Sequence, residues 1–355
     1  MFAKKSYMQV RLTMVSFLLV LQPHAYAVDT LDTHESGNGT KIQNAKNIRE
    51  TPLPSGCKAV RYTGGYISIK EAFEGSGRHC VVHNFTQRKV RDLIDWSIRG
   101  SPTDEIGRGS VLTFYKNTNA DLDLQGHEIS GAPFENTRGV GLLGKNLAFL
   151  RVHHGKIETP GPRGLGVDMA PNISAWKRIK ELTEDFPVTQ TTDWNIKIKE
   201  FNEIPWNYTP PTFYTAENLQ IKAGGRAIIM AGSDNVVRNN TIEVDGRTAV
   251  YLYGPRSLVE GNTFIVHMDP RDKAPLPAIL KLRDADGSII RNNRFIVKRS
   301  GLFRKKEDEP QAGINLLESR DVVIEGNVFE QVALPVRKDA ASTTTESGNI
   351  SKGSP

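Results

Sequence analysis

Four stretches of the chain repeat one alternation of apolar and polar positions. Two apolar residues are followed by a charge, a turn-prone residue, an Asn, and a return to an apolar side chain two positions later. They read Val236-Val237-Arg238-Asn239-Asn240-Thr241-Ile242, Leu258-Val259-Glu260-Gly261-Asn262-Thr263-Phe264, Ile289-Ile290-Arg291-Asn292-Asn293-Arg294-Phe295 and Val323-Ile324-Glu325-Gly326-Asn327-Val328-Phe329. The four Asn residues, Asn240, Asn262, Asn293 and Asn327, are spaced by 22, 31 and 34 positions. Strand-like segments recurring at such a period, with no helical pattern, predict the stacked coils of a solenoid. Asn at a tight bend tolerates left-handed backbone, and amides one strand spacing apart supply one another with partners. These Asn residues are therefore read as structural.

Counting back from each Asn aligns the strands that precede them. Period-two alternation points Leu165 and Val167, Ile228 and Met230, Val250 and Leu252, Leu280 and Leu282, and Ile314 and Leu316 inward. The outward column is then Tyr251, Tyr253, Lys281, Arg283 and Asn315, with Asp168 in the same band one or more coils away. A slip of one residue would turn Lys281 inward, and an unpaired buried Lys is costly, which favours this register.

The other segments are organised around these coils. Lys4, Lys5 and Arg11 precede an apolar stretch, Leu12 to Leu21, and a small-x-small site, Ala25-Tyr26-Ala27, so 1–27 reads as a signal peptide. The chain is then expected to be secreted or periplasmic, and no later stretch is long and apolar enough to span a bilayer. Residues 28–54 read as a flexible leader, 55–110 as an N-terminal cap with helix-compatible spacings at Ile67 to Phe73 and Val90 to Ile98, and 111–334 as the solenoid. An insertion at 171–215 carries a predicted helix from Ala175 to Phe186 and an aromatic, Pro-rich stretch. Such insertions often leave from the binding face, although these aromatics equally suit packing onto the body. The Ser/Thr/Gly-rich segment 335–355 reads as a disordered tail.

Charge adds little. The formal net charge is +6, and the signal peptide holds three basic residues and no acidic one, so its removal halves that figure. No nucleic-acid motif is present. Cys57 and Cys80 are the only cysteines, and in an exported chain the pair predicts a disulfide contributing about 3 kcal/mol.

From Val111 to Val332 the sequence resembles the right-handed parallel β-helix, or pectin-lyase-like, superfamily. The resemblance rests on Asp121-Leu122-Asp123-Leu124-Gln125-Gly126-His127 and on the four Asn-containing coils. It implies an all-β, right-handed parallel β-helix with an N-terminal cap. It also implies an exported protein that acts on, binds or displays polysaccharide. The Arg-x-Pro-x-x-Arg segment of pectate lyases and the Gly-His-Gly and Asn-Thr-Asp segments of polygalacturonases are missing. Asp269-Pro270-Arg271-Asp272 only echoes the Asp-Pro-His-Asp of alginate epimerases.

The outward column supplies the candidate chemistry. Tyr251 and Tyr253 can cover sugar faces, Asn315 and Asp168 can bind hydroxyls, and cations can hold a carboxylate. β-Elimination and uronate epimerisation both begin by removing a weakly acidic proton beside a carboxylate that a cation must neutralise. Lys281 or a tyrosinate is the candidate base and Arg283 the candidate neutraliser, giving a lyase or epimerase on an acidic polysaccharide. The alternative is a non-catalytic polysaccharide-binding or surface-structural β-helix. Hydrolysis needs paired carboxylates, and none stands out among Asp168, Asp245, Asp269 and Asp284. A Ca2+ site between coils is compatible with the fold, but no residue set specifies one. His153-His154 is a tempting ligand pair, yet adjacent strand residues point to opposite faces, so a turn position is the favoured explanation.

Overall fold

The computed structural model describes residues 51–61, 77–86, 110–115, 118–131, 140–145, 148–160, 164–169, 213–245, 248–268, 278–299 and 312–353. Every element among them is a β-strand, and every pairing between strands is parallel. The chain winds through three faces and then starts the next coil. One full coil runs from Val236–Arg238 on the first face to Thr241–Asp245 on the second and Val250–Tyr253 on the third, and Leu258–Glu260 then pairs with Val236–Arg238. Two long strands, Ala148–Thr159 and Thr215–Ala223, each serve both the first and second faces.

Alternation builds the core. Val237, Val259, Ile290 and Ile324 are buried from the first face, Ile242, Phe264, Phe295 and Phe329 from the second, and Val250, Leu252, Leu280, Leu282, Ile314 and Leu316 from the third. Phe264, Phe295 and Phe329 stack with centroids 4.8 and 4.9 Å apart, the spacing of the strands that carry them. Leu165 is the exception to the expected inward set. It lies opposite Arg226, where the strand enters its corner, and packs with the outward group.

The Asn residues occupy the corner between the first and second faces. The backbone N–H and Nδ2 of Asn240 both donate to Oδ1 of Asn262. Asn262 does the same to Asn293, Asn293 to Asn327, and Asn327 to Asn349. Each Nδ2 also donates to a carbonyl of the preceding strand pair, Ala216, Val237, Val259 and Ile290 in turn. Before each Asn sits a residue with positive φ: Asn239 (53°), Gly261 (65°), Asn292 (55°) and Gly326 (62°). At Gly261 and Gly326 a Cβ would also come within 2.6 and 2.7 Å of the side-chain oxygens of Asn239 and Asn292 one coil away, so glycine alternates with Asn along this column.

Two expected boundaries move. Residues 335–353, read from composition as a disordered tail, carry the strands Val336–Lys338, Thr344–Ser347 and Ile350–Lys352, each paired in register with the preceding coil. The polar run Glu346-Ser347-Gly348-Asn349-Ile350 is a fifth copy of the repeat, with its apolar positions relaxed where the strands are mostly exposed. At the other end, Lys58–Val60, Gly77–Val81 and Phe85–Thr86 already pair as coil strands, so stacking begins inside the segment expected to be a cap. Cys57 and Cys80 form a disulfide, Cα–Cα 5.8 Å, beside this first pairing. The helix-compatible stretches of the cap, the predicted helix and aromatics of 171–212, and the signal peptide lie outside the described residues.

Asn293→Ala removes the acceptor for two Asn262 donors and the donor for the Val259 carbonyl, all buried. Urea unfolding should show a loss of about 2–4 kcal/mol. Asn349→Ala, at the half-buried end of the row, should lose about 1 kcal/mol. Equal losses at the two positions would mean that the row does not act through buried polar satisfaction.

Candidate functional site

The register expected for the outward column is present. Tyr251 lies opposite Lys281, Tyr253 opposite Arg283, and Lys281 opposite Asn315. Asp168 pairs with Ile229, and Ile229 with Tyr251, which puts Asp168 three strands from Lys281. The column does not, however, form an exposed platform. Asp168, Tyr251, Tyr253 and Lys281 are 0, 1, 1 and 3 % exposed, and Asn315 is buried as well. Tyr251, Tyr253, Ile229, Ala231 and Leu165 make a second apolar cluster, separate from the core of the coils. The two tyrosine rings meet edge to face at 4.5 Å, and Lys281 Nζ stands 4.9 Å over the Tyr251 ring. Arg283 pairs with Glu318 at 3.0 Å. Alternation decides the side from which a side chain leaves a strand. It does not decide what lies over that side, and here the outward layer is packed.

An accessible polar cluster lies instead on the first face, N-terminal to the Asn row. Its outward column reads Asp123, His153, Glu217, Arg238, Glu260, Arg291 and Glu325 on successive strands, with Arg78, Asp121 and Arg151 in the column beside it. Opposite charges face one another across most of these steps. Glu217 is 1 % exposed and is held by Arg151 from one side and Arg238 from the other. Arg78 pairs with Asp123 at 2.9 Å, and Arg151 reaches Asp121 at 3.5 Å.

His153 and His154 stand at the centre of this cluster. His154 occupies the same corner position as Asn218, Asn239, Gly261, Asn292 and Gly326 and shares their left-handed backbone, φ 55°. That turn undoes the strand alternation, so the turn position expected for the pair is present but the expected divergence is not. The two imidazoles meet edge to face with centroids 4.6 Å apart and Nδ1 atoms 2.6 Å apart. The next residue, Gly155, occupies the Asn position of the corner, where a Cβ would lie 2.3 Å from Leu124 Cβ and 2.7 Å from the His127 carbonyl oxygen. The bare glycine lets the Gln125-Gly126 bend close over the His154 turn, with the Gly126 N–H donating to the His154 carbonyl at 2.6 Å.

Asp121 Oδ1 accepts from His153 Nε2 at 2.8 Å. That bond fixes the tautomer and leaves Nδ1 as an acceptor, so His154 donates its Nδ1–H. Asp121, His153 and His154 thus form a chain from a carboxylate to an imidazole, and His154, more than half exposed, presents Nε2 as its remaining basic atom. Burial lowers the His153 pKa against the opposing pull of Asp121. For Asp123, burial alone would raise the pKa, but the Gln125 amide, Arg78 and His153 bring it below the usual carboxylate range. Glu217 behaves alike, with burial outweighed by Arg238 and Arg151.

Near the start of the strand Ala148–Thr159, Phe149 occupies another left-handed position, φ 57°, and is exposed, while Leu150 and Val152 enter the core. Phe149 is 49 % exposed and stacks on Phe213, itself 39 % exposed, at 4.7 Å and 8°. Of these groups only the His153–His154 pair is considered as a site from sequence, and there it is set aside. The signal that reveals them is the repeat extended by two coils: Val152-His153-His154-Gly155 aligns with Val237-Arg238-Asn239-Asn240.

Lowered carboxyl pKa values make the first face acid-sensitive. A carboxylate whose folded pKa lies below its unfolded value, about 4.3 for Glu, stabilises above that pH and loses the contribution as pH falls through the folded pKa. Melting temperature should therefore drop steeply below about pH 4. Glu217→Gln should flatten part of that drop and lower stability at pH 7, where Arg151 and Arg238 lose their shared partner. An unchanged pH dependence in the variant would exclude Glu217 as a contributor.

No curated protein and no solved structure matches the chain. Residues 209–353 match the family described as right handed beta helix region. Parallel faces continue N-terminally from that match, so the described residues have the right-handed parallel β-helix fold.

Proposed function

We propose that this is an exported β-helix protein that acts on an acidic polysaccharide, and that the polymer lies along the first face rather than on the column containing Lys281 and Arg283. The observation that carries this reading is the alignment on one strand of Phe149, Arg151 and the His153–His154 corner. An exposed aromatic pair, a half-exposed guanidinium and an imidazole relay follow one another from Phe149 to His154, with about 13 Å between Phe149 and His153. That is a length suited to two or three sugar units. Phe149 and Phe213 offer apolar surface to a sugar ring, and Arg78, Arg151 and Arg238, each about two-fifths exposed, can engage uronate carboxylates. The disulfide Cys57–Cys80 supports an oxidising destination.

The chemistry best suited to this set is β-elimination or epimerisation. His154 Nε2 takes the proton beside the uronate carboxylate, and the resulting imidazolium is stabilised through His153 by Asp121. Arg151 neutralises the carboxylate so that the carbanion can form. In elimination the electron pair forms a C4–C5 double bond as the C4–O bond breaks, and the leaving oxygen takes a proton from the His154 imidazolium or water; in epimerisation water protonates the other side and His154 returns its proton to solvent. Hydrolysis by two carboxyls fits less well, because one of them must stay protonated and the Asp123 environment favours its ionised form.

The test uses the mature protein with a panel of uronate polysaccharides, following the ultraviolet absorbance of unsaturated products and the sugar configuration by NMR. His154→Asn is the informative variant, because Asn already fills that left-handed position at other coils. It should fold normally and lower kcat/KM by about 10²–10⁴. Phe149→Ala should raise KM by up to about tenfold with a smaller change in kcat. Binding that depends on Phe149 without any product would favour the non-catalytic reading, and neither binding nor product would end the proposal.

A further inference from the structure

The corner that holds the two imidazoles has the makings of a metal centre. His153 Nδ1, His154 Nδ1 and Asp123 Oδ1 lie within 4.8 Å of one another, and Asp123 Oδ1 is 3.8 and 4.0 Å from the two nitrogens. We infer that His153, His154 and Asp123 form a binding site for one divalent transition-metal ion of the zinc class, with its remaining coordination positions open to solvent.

Four features of the site support this. The first is backbone geometry. In a regular strand consecutive histidines diverge, and they converge here only because His154 is left-handed. The second is donor type. Two imidazoles and one carboxylate suit a borderline ion such as Zn2+, whereas Ca2+ takes oxygen donors. The third is the supporting shell. Asp121 accepts from Nε2 of His153 at 2.8 Å, the carboxylate–histidine arrangement that fixes a ligand's ring and aims Nδ1 at the ion. Asp123 is fixed in turn, with the Gln125 N–H donating to Oδ1 and Arg78 to Oδ2, both at 2.9 Å. The fourth is access. His153 and Asp123 are more than nine-tenths buried, which locks their rotamers, while the His154 ring faces solvent.

The adjustment required is small. Ligands at about 2.0–2.2 Å in a tetrahedral arrangement stand roughly 3.3–3.5 Å apart. The two nitrogens would separate by somewhat under 1 Å, and Asp123 would move in by about half that. The ion takes the place of the proton that the two Nδ1 atoms share; that proton moves through solvent to His154 Nε2, so both imidazoles bind as neutral ligands. It also ties up the His154 relay used in the elimination mechanism, so ion and proton relay are alternative states of one corner. The binding inference stands on its own geometry and does not need the polysaccharide reading.

The test titrates the purified, disulfide-intact mature protein with Zn2+ by calorimetry and with Co2+ by visible absorption, in the absence of saccharide and with Ca2+ as a control. One ion per chain should bind, with a Co2+ spectrum of low coordination number and negligible response to Ca2+. His154→Asn, which keeps the turn, should weaken Zn2+ binding at least tenfold. Asp121→Asn should weaken it about 10–100-fold while leaving the stoichiometry unchanged. Circular dichroism of each variant separates loss of the site from loss of fold. No binding by the wild type, or equal binding by wild type and His154→Asn, would overturn the inference. Metal binding with neither saccharide binding nor product would end the polysaccharide proposal and leave this one standing; product formation without metal binding would do the opposite.

Discussion

The row of Asn amides at one corner is the constraint on which the rest of the coils depend. A parallel strand pair has no hairpin to fix its register, and slippage by one residue would exchange core and surface. From Asn262 to Asn349 each side-chain oxygen takes two hydrogen bonds from the Asn one coil before, and from Asn240 to Asn327 each Nδ2 donates to a backbone carbonyl and to the next amide oxygen. A slipped coil would break all of these bonds in the buried interior. The stacked Phe264, Phe295 and Phe329 rings and the alternating charges outside repeat the same register in apolar and ionic form.

Where the amide row stops, the corner takes on polar chemistry. Leu219 still donates its N–H to Asn240, but its own side chain cannot continue the row, and one coil earlier the position is Gly155. His154 keeps the left-handed bend that Asn or Gly supplies elsewhere, and so carries an imidazole to a place built for a turn. Asp121 and Asp123, two residues apart on the neighbouring strand, reach the same spot from its outer side. The same backbone bend thus satisfies the polar interior in one half of the molecule and gathers titratable groups in the other.

Much of the architecture was readable from the chain. Alternation and the Asn spacing predict the solenoid, the inward rows and the pairing of Tyr251 with Lys281 and of Tyr253 with Arg283, because these follow from local geometry. The burial of Tyr251, Tyr253 and Lys281 was not readable, since what covers a face depends on tertiary contacts and not on period. The fifth copy of the repeat was hidden by composition. Thr345, Glu346 and Ser347 look like a tail but stand opposite Val323, Ile324 and Glu325. The histidine pair was noticed and set aside on the rule of alternating strand residues, which fails at a residue with positive φ.

The coil lengths have a further consequence. Steps of 22, 31, 34 and 22 residues separate successive Asn corners. The extra residues fall between the second-face strands ending at Asp245, Met268, Arg299 and Glu330 and the third-face strands beginning at Val250, Leu280, Ile314 and Val336. Lengthening such a connection costs only a fraction of a kcal/mol in closure entropy, about 0.6 kcal/mol even for a doubling. One vertex is therefore open to evolutionary growth while the opposite one stays fixed. New sequence can be added coil by coil at that vertex, and neighbouring turns need no compensating change.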